Sequence, residues 1–346
     1  MLDLETLKKK LQNHLTDGLV IIVGSGASCG CGLPSMGAVS AHLISEMPRR
    51  ITGRDLAEWE TIADRLRRGE TLEAVLQKLE VTPVVGDVLV SLTAAFIAEA
   101  QRNALARVLS GNQKLPFARL LPQLAKTMKR IPVVTSNYDC LLEYSAEMAG
   151  LGVDTHFAGQ YFAAYDAALS RDALCRTVHT YARKNIKKDY RPHIALYKPH
   201  GSLDWYQYDD RPIRSMVEIQ DVPRLMITPG KDKYRKGYER PFDALRSAAN
   251  EEIDRASRFL IVGYGFNDQQ LEVHLRTKLR SGCPCVVLAK ELTPNATGIL
   301  REAPQAVVLS EGANGTTLLR TDGGGSVLNN SCMWDLTGFM KEALHV

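Results

Sequence analysis

The sequence predicts an α/β protein: a doubly wound, mostly parallel, Rossmann-like sheet carrying a long helical insertion. Three observations lead there. Short apolar runs alternate with segments of helical periodicity, the pattern of parallel strands covered on both faces. Several of those runs end directly in polar, glycine-bearing turns, at the carboxyl edge where open α/β sheets bind ligands. The stretch 36–130 is almost free of strand-like runs and rich in helix formers.

Element by element, residues 4–16 read as an amphipathic helix, with Leu4, Leu7, Leu11 and Leu15 at helical spacing. The apolar run Leu19 to Val23 is the first strand and feeds the turn Gly24-Ser25-Gly26-Ala27-Ser28. Helices are expected at 36–47, 55–68, 71–80, 85–109 and 116–129, with breaks near Pro48, Gly53, Gly69 and Pro83. A strand at 131–135 then leads into a helix at 139–148. Further strands are expected at 194–198, 224–228, 259–262, 284–288 and 306–309, and helices at 241–256, 268–280 and 334–344. Segment 311–330 reads as a polar, glycine-rich loop or hairpin. No internal repeat is visible, and the whole of 1–346 is expected to form one domain with its insertion at 36–130.

Composition narrows the function classes. A 346-residue chain with 45% hydrophobic and 24% charged residues is ordinary for a soluble globular protein. No run approaches eighteen consecutive apolar residues, so a membrane span is not expected. The start of the chain lacks the basic and apolar regions of a secretory signal, which predicts a cytoplasmic protein. A net charge of +4 is too small to announce direct nucleic-acid binding. Two basic runs, 183–188 and 231–236, read as solvated loops or as attraction for a phosphorylated ligand or for DNA held by a partner. The seven cysteines form no disulfide framework, and Cys29/Cys31 and Cys283/Cys285 lack the spacing of a four-thiolate zinc ribbon. Reduced, partly buried thiols and no metal are expected.

Three turns carry the chemistry. Glycines at Gly24 and Gly26, between a strand and a helix start, let a backbone approach a pyrophosphate beside unpaired N–H groups. The dehydrogenase fingerprint is not met: the third glycine is Gly30, and the region about twenty residues on is helical rather than a strand ending in an acid. A turn without ligand is the alternative. Thr135-Ser136-Asn137-Tyr138-Asp139 leaves an apolar strand, with Asn137 either facing a ligand or capping the next helix. In Lys198-Pro199-His200-Gly201-Ser202-Leu203, also at a strand end, His200 suits proton transfer near neutrality, and Gly201 leaves room for a ribose. Of the eight histidines it is the one on a motif.

Together these pieces resemble the sirtuin family. Gly24-Ser25-Gly26-Ala27-Ser28 is similar to its GAGAS loop, Gly32-Leu33-Pro34-Ser35 to its G-(I/L)-P-(S/D) segment, and residues 135–139 to its TQN-(I/V)-D motif. Residues 198–203 resemble its K-(I/L)-HGS segment with Pro199 in place of an apolar residue, and Gly263-Tyr264-Gly265-Phe266-Asn267-Asp268 resembles its late GxSxxD turn with Gly265 where serine is common. The resemblance implies NAD+ as substrate. It makes Asn137 the holder of the nicotinamide ribose or attacking water and His200 the catalytic base. It gives Asp139 to the nicotinamide pocket, and Gly263, Tyr264, Gly265 and Asp268 to the adenosine ribose, Asp268 alternatively capping the helix that follows. Ser25, Ala27, Ser28, Pro34 and Ser35 join the cofactor-binding set.

The lack of zinc cysteines places the resemblance nearer the NAD-hydrolysing sirtuin-like proteins of bacterial anti-phage defence than the protein deacylases. It implies an NAD+ glycohydrolase, a homo-oligomer, and a defence partner such as a HerA-type hexameric ATPase. An NAD-dependent deacylase and a non-catalytic NAD or ADP-ribose sensor are the rival readings.

Overall fold

The computed structural model describes residues 4–79, 81–181, 185–219, 222, 224–227, 240–320 and 325–346. After helix α1 (Leu4–His14), strand β1 (Leu19–Val23) enters the centre of a nine-stranded sheet and ends in a short helix, α2 (Ser25–Cys29). Helices α3 (Met36–Glu46), α4 (Gly53–Arg67), α5 (Leu72–Leu76), α6 (Pro83–Leu109) and α7 (Pro116–Leu124) follow. Next come β2 (Arg130–Thr135), α8 (Leu141–Met148), β3 (Gly152–Asp154), β4 (Phe157–Ala158), β5 (Phe162–Tyr165) and α9 (Ala167–Asp172). β6 (Cys175–Tyr181) pairs with β7 (Asn185–Tyr190), and then come β8 (His193–Tyr197), β9 (Gly201–Tyr208), β10 (Arg211–Ser215) and β11 (Arg224–Met226). The chain closes with α10 (Phe242–Arg255), β12 (Arg258–Val262), α11 (Gln269–Arg280), β13 (Cys285–Ala289), α12 (Pro294–Arg301), β14 (Ala306–Gly312), β15 (Gly315–Arg320), β16 (Gly325–Asn329) and α13 (Leu336–Ala343).

The main sheet runs β16-β15-β14-β13-β12-β1-β2-β8-β3, parallel from β14 to β3 and antiparallel across β14, β15 and β16. Strand alternation explains why it is covered twice. Leu19, Ile21 and Val23 of β1 point into a core shared with α1, α7, α8 and α13, while Val20 and Ile22 point into another shared with α10, α11 and α12. Fully burying one such aliphatic side chain contributes about 1.5–3 kcal/mol, so both faces are strongly held.

The strands at the sheet centre stand where the sequence places them, within a residue or two. The strand expected at 224–228 is present as β11, with 228 outside the described residues, but it lies in a separate five-stranded sheet, β11-β9-β10-β5-β4, antiparallel to β9. That second sheet has no counterpart in the sequence reading. Segment 311–330 contains β15 and β16, paired antiparallel, with 321–324 outside the described residues. Two helices are shorter than expected, α5 ending at Leu76 and α7 at Leu124. The basic run 183–188 falls largely on β7, where Lys188 reaches Asp172 at 2.6 Å; its residues 183–184, like the whole run 231–236, lie outside the described residues.

Between β1 and β2 the described elements are all helical, and α3 to α6 share a core of their own around Trp59, Ile62, Leu43 and Leu89. Among the described residues, α6 is the one helix long and apolar enough by length and composition to cross a membrane. Here its apolar residues divide between that core and a second one with Leu33, Leu203 and Met226, so the helix ties the helical segment to the small sheet.

Candidate functional site

The sheet order β8-β2-β1-β12-β13-β14 reverses direction at β1, and the crevice at such a reversal is where open α/β sheets hold ligands. Val23 is in register with both Thr135 and Val262, so the three strands end at one level. A cavity of about 170 Å³ opens there. A second, of about 440 Å³, shares Glu73 and Asn267 with it and continues over the start of α12. Ligand pockets commonly run to about 300–1,000 Å³, so a dinucleotide would need both.

The glycines of the first turn are explained by backbone packing. Gly24 N–H donates to Val262 O at 3.0 Å and Gly26 N–H to Gly263 O at 3.0 Å. A Cβ on Gly24 would lie 2.4 Å from Gly263 O, and one on Gly263, whose φ is +58°, would lie 2.3 Å from Ala27 N. Two turns, after β1 and after β12, are therefore nested without side chains between them. Gly24 and Ser25 reach the cavity; Gly26, Ala27 and Gly263 stand behind it.

Asn137 is bonded into this turn. Its Nδ2 donates to Gly24 O and to Ser28 Oγ, both at 3.0 Å, and its backbone N–H donates to Thr135 Oγ1 at 3.1 Å. Helix α8 begins only at Leu141 with Cys140 as its cap residue, so the helix-capping alternative for Asn137 is set aside. Its Oδ1 is buried without a hydrogen-bond partner in the protein, an acceptor on a cavity-lining residue. Ser28 Oγ in turn donates to Asp139 Oδ2 at 2.8 Å, and Asp139 Oδ1 accepts from Leu141 N at 3.1 Å.

His200 sits in the sharp turn from β8 to β9. Gly201, with φ +87°, would place a Cβ 2.1 Å from Leu225 O, so the approach of β11 already requires glycine here. His200 Nε2 lies 2.7 Å from Asp268 Oδ2, at ion-pair range though off the line of a hydrogen bond. Behind the turn, the buried Lys198 Nζ donates to Asp139 O (2.6 Å), Ser202 Oγ (2.8 Å) and Glu143 Oε1 (3.0 Å). One ammonium thus fastens the Asn137 turn to the His200 turn. Burial opposes its charge, but Glu143, Cys140, Asp204 and Asp139 together hold its pKa above the usual lysine range.

The remaining wall is largely apolar and comes in part from the helical segment: Met36 and Val39 of α3, Glu73 of α5, Thr93 and Ile97 of α6, with Leu33 and Ile227. Burial pushes the Tyr138 and Tyr264 phenols up, so both stay protonated at neutral pH. Three carboxylates, Glu73, Asp139 and Asp268, line the cavity, and among the described residues no lysine or arginine does.

Of the residues singled out in the sequence, the cavity is lined by Gly24, Ser25, Ser28, Pro34, Asn137, Asp139, His200, Tyr264, Gly265 and Asp268. Gly26, Ala27, Ser35, Gly201 and Gly263 shape the turns without lining it; Ser35 accepts from Ala38 N at 3.2 Å and caps α3. Ser136, Tyr138 and Asn267 lay inside the motifs but were not singled out. Glu73, Thr93 and Ile97 carry no local signal. All seven cysteines are free, and among the described residues no cluster of three or more His, Cys, Asp or Glu could hold a metal ion.

Residues 132–283 match the family model of the SIR2-like domain, a span that takes in the Asn137, His200 and Asp268 turns and leaves β1 outside. No curated protein matches the sequence. Among solved structures, a Sir2–p53 peptide–NAD+ complex aligns over 97% of both chains at 13% identity with a TM-score of 0.42. Sir2 bound to an acetylated peptide aligns over 97% of both chains at 14% identity, TM-score 0.42. Sir2Tm bound to a propionylated peptide covers 83% of this chain and 87% of that chain at 14% identity, TM-score 0.41.

Proposed function

We propose that this protein hydrolyses the bond between nicotinamide and ribose in NAD+, releasing nicotinamide and ADP-ribose. The observation that carries the reading is the charge of the cavity: Glu73, Asp139 and Asp268 face it beside Asn137 and His200, with no lining cation among the described residues. Cleavage of a glycosidic bond passes through an oxocarbenium-like state, and fixed negative groups aimed at developing positive charge lower its energy. A carboxylate about 6 Å from a unit positive charge, at an effective dielectric of about 20, contributes about 3 kcal/mol. Each factor of ten in rate needs only about 1.4 kcal/mol, so the effect is large enough to matter.

In the proposed step the C1′–N bond breaks and its electron pair passes to the nicotinamide nitrogen, which becomes neutral. Water attacks C1′, and its proton goes to His200. Asn137 Oδ1, the acceptor without a protein partner, would hold that water or a ribose hydroxyl. Because the Gly24, Gly26 and Ala27 N–H groups already donate to backbone carbonyls, the Ser25 end of α2 would face the pyrophosphate, and the cavity beyond Asn267 would take the adenosine half.

The finer parts of the reading belong to the same proposal. From the motif resemblance we read the protein as an NAD-depleting effector of bacterial anti-phage defence, acting in the cytoplasm as a homo-oligomer with a partner such as a HerA-type ATPase. The helices between β1 and β2 are read as an insertion that offers assembly surface, with no zinc ribbon.

The test is product analysis after incubating purified protein with NAD+, with and without an acylated lysine peptide. Free ADP-ribose and nicotinamide in equal amounts without peptide support hydrolysis. Nicotinamide release only with peptide, together with an acylated ADP-ribose, would make the protein a deacylase. NAD+ binding with no product in either mixture would make it a sensor.

A further inference from the structure

The geometry points to Asp268 as the positioning residue of His200, and to Nδ1 as the nitrogen of that histidine that carries the lone pair. The assignment of Nδ1 as the base rests on the hydrolase reading above; the pairing and the tautomer do not. The two side chains come from opposite halves of the sheet, His200 from the β8–β9 turn and Asp268 from the turn after β12, and meet over the end of β1. Their side chains are 13% and 4% exposed, with His200 Nε2 2.7 Å from Asp268 Oδ2.

An ionised carboxylate only accepts, so at 2.7 Å, even off the line of a hydrogen bond, its charge favours the tautomer with the hydrogen on the ring nitrogen facing it. A neutral His200 is then the Nε2–H tautomer, and Nδ1 is left to take a proton from water. Once protonated, the imidazolium has its counter-charge already in place. The other titratable groups on the cavity wall are the Glu73 and Asp139 carboxylates and the phenols of Tyr138 and Tyr264; Asp139 accepts from Ser28 Oγ and Leu141 N, and the Tyr138 hydroxyl donates to Ile227 O.

The turn that delivers Asp268 is rigidly built. Phe266 is fully buried with φ +53°, and Thr293 Oγ1 donates to Gly265 O at 2.5 Å. The sequence reading gave Asp268 to a ribose or to a helix cap. Its place against the imidazole gives it a different task, to fix the ring's tautomer and plane.

The test uses protein labelled with ¹⁵N-histidine, without NAD+, at a pH where histidines are neutral, with His200→Ala to assign the resonance. The nitrogen shifts are expected to show Nε2–H in the wild type. In Asp268→Asn, whose amide can present a donor to the ring, the population should move toward Nδ1–H, with Asp268→Glu restoring the wild-type pattern. Parallel thermal unfolding confirms that the variants fold. An Nδ1–H wild type, or a tautomer indifferent to Asp268→Asn in a folded protein, overturns the assignment. In turnover, Asp268→Asn should lower kcat about 10²-fold or more with KM nearly unchanged; a rise in KM alone would return Asp268 to substrate binding. If the tautomer is as expected and no nicotinamide is ever released, the pairing stands and the hydrolase reading falls.

Discussion

Asp139 and Cys140 are neighbours in sequence and face different cavities. On the Asp139 side, three carboxylates line a space with no lysine or arginine among the described residues. On the Cys140 side lies a cavity of about 240 Å³ whose charges answer one another: Arg214 with Asp204 at 2.5 Å, Arg224 with Glu218 at 2.6 Å, Arg102 also with Glu218, and Lys198 with Glu143 just behind. Both cavities are rich in charge: arginine–carboxylate pairs line the second, whereas the wall of the first carries carboxylates and His200 with no lysine or arginine among the described residues. In the second, burial favours the neutral forms of Glu143 and Cys140, while Arg214 holds Asp204 below the usual carboxylate range against the same penalty. The difference separates a cavity held by arginine–carboxylate pairs from one with an acidic wall.

The comparison can be broken from either side. His200→Ala, in the carboxylate-lined cavity, should cost about 10²- to 10⁴-fold in nicotinamide release, while the urea midpoint moves little. A large loss of stability with activity intact per folded molecule would reverse the assignment. Lys198→Met, on the side of the arginine–carboxylate pairs, should do the opposite first: it strands a buried Glu143 and is expected to lower unfolding free energy by about 3–5 kcal/mol. Adding Glu143→Leu should recover much of that loss, measured as a double-mutant cycle.

Gly263→Ala tests the nested turns between the two halves of the sheet. A Cβ 2.3 Å from Ala27 N at a positive φ should cost about 1–3 kcal/mol and lower NAD+ affinity by displacing Gly24, read by urea titration and calorimetry.

The smallest expected effect is in pH. Desolvation by burial holds His14, His156 and His193 below the usual imidazole range, so each takes up its proton at lower pH in the fold than in the unfolded chain, which protonates near pH 6.5. Stability from these groups is complete above that pH and is lost as pH falls from there through each ring's lowered folded pKa. Urea unfolding at pH 7.5, 6.5 and 5.5 should show net proton uptake on unfolding. A flat profile would mean that these rings titrate in the folded state.

The legible parts of the sequence were those whose surroundings are uniform. β1, β2, β8, β12, β13 and β14 are buried on both faces and read as continuous apolar runs. The small sheet was not seen, because β9 mixes Trp205 and Leu203 with Asp204 and Gln207 directly after the His200 turn, and β4 and β5 are too short for a period. The motif residues came together in space as their strand ends suggested, yet the glycines serve backbone nesting more than ligand clearance. Glu73, Thr93 and Ile97 could not be found from sequence, since only the packing of α5 and α6 over the sheet edge turns these ordinary helix residues toward the cavity.

The most direct test of the central claim is the rate of nicotinamide release from NAD+ by the wild type, His200→Ala and Asn137→Ala, each first shown to fold and to bind NAD+. The account predicts release by the wild type without any peptide and a loss of at least about 10²-fold in both variants. Equal rates in all three folded proteins would contradict it, because the chemistry would then lie outside this cavity.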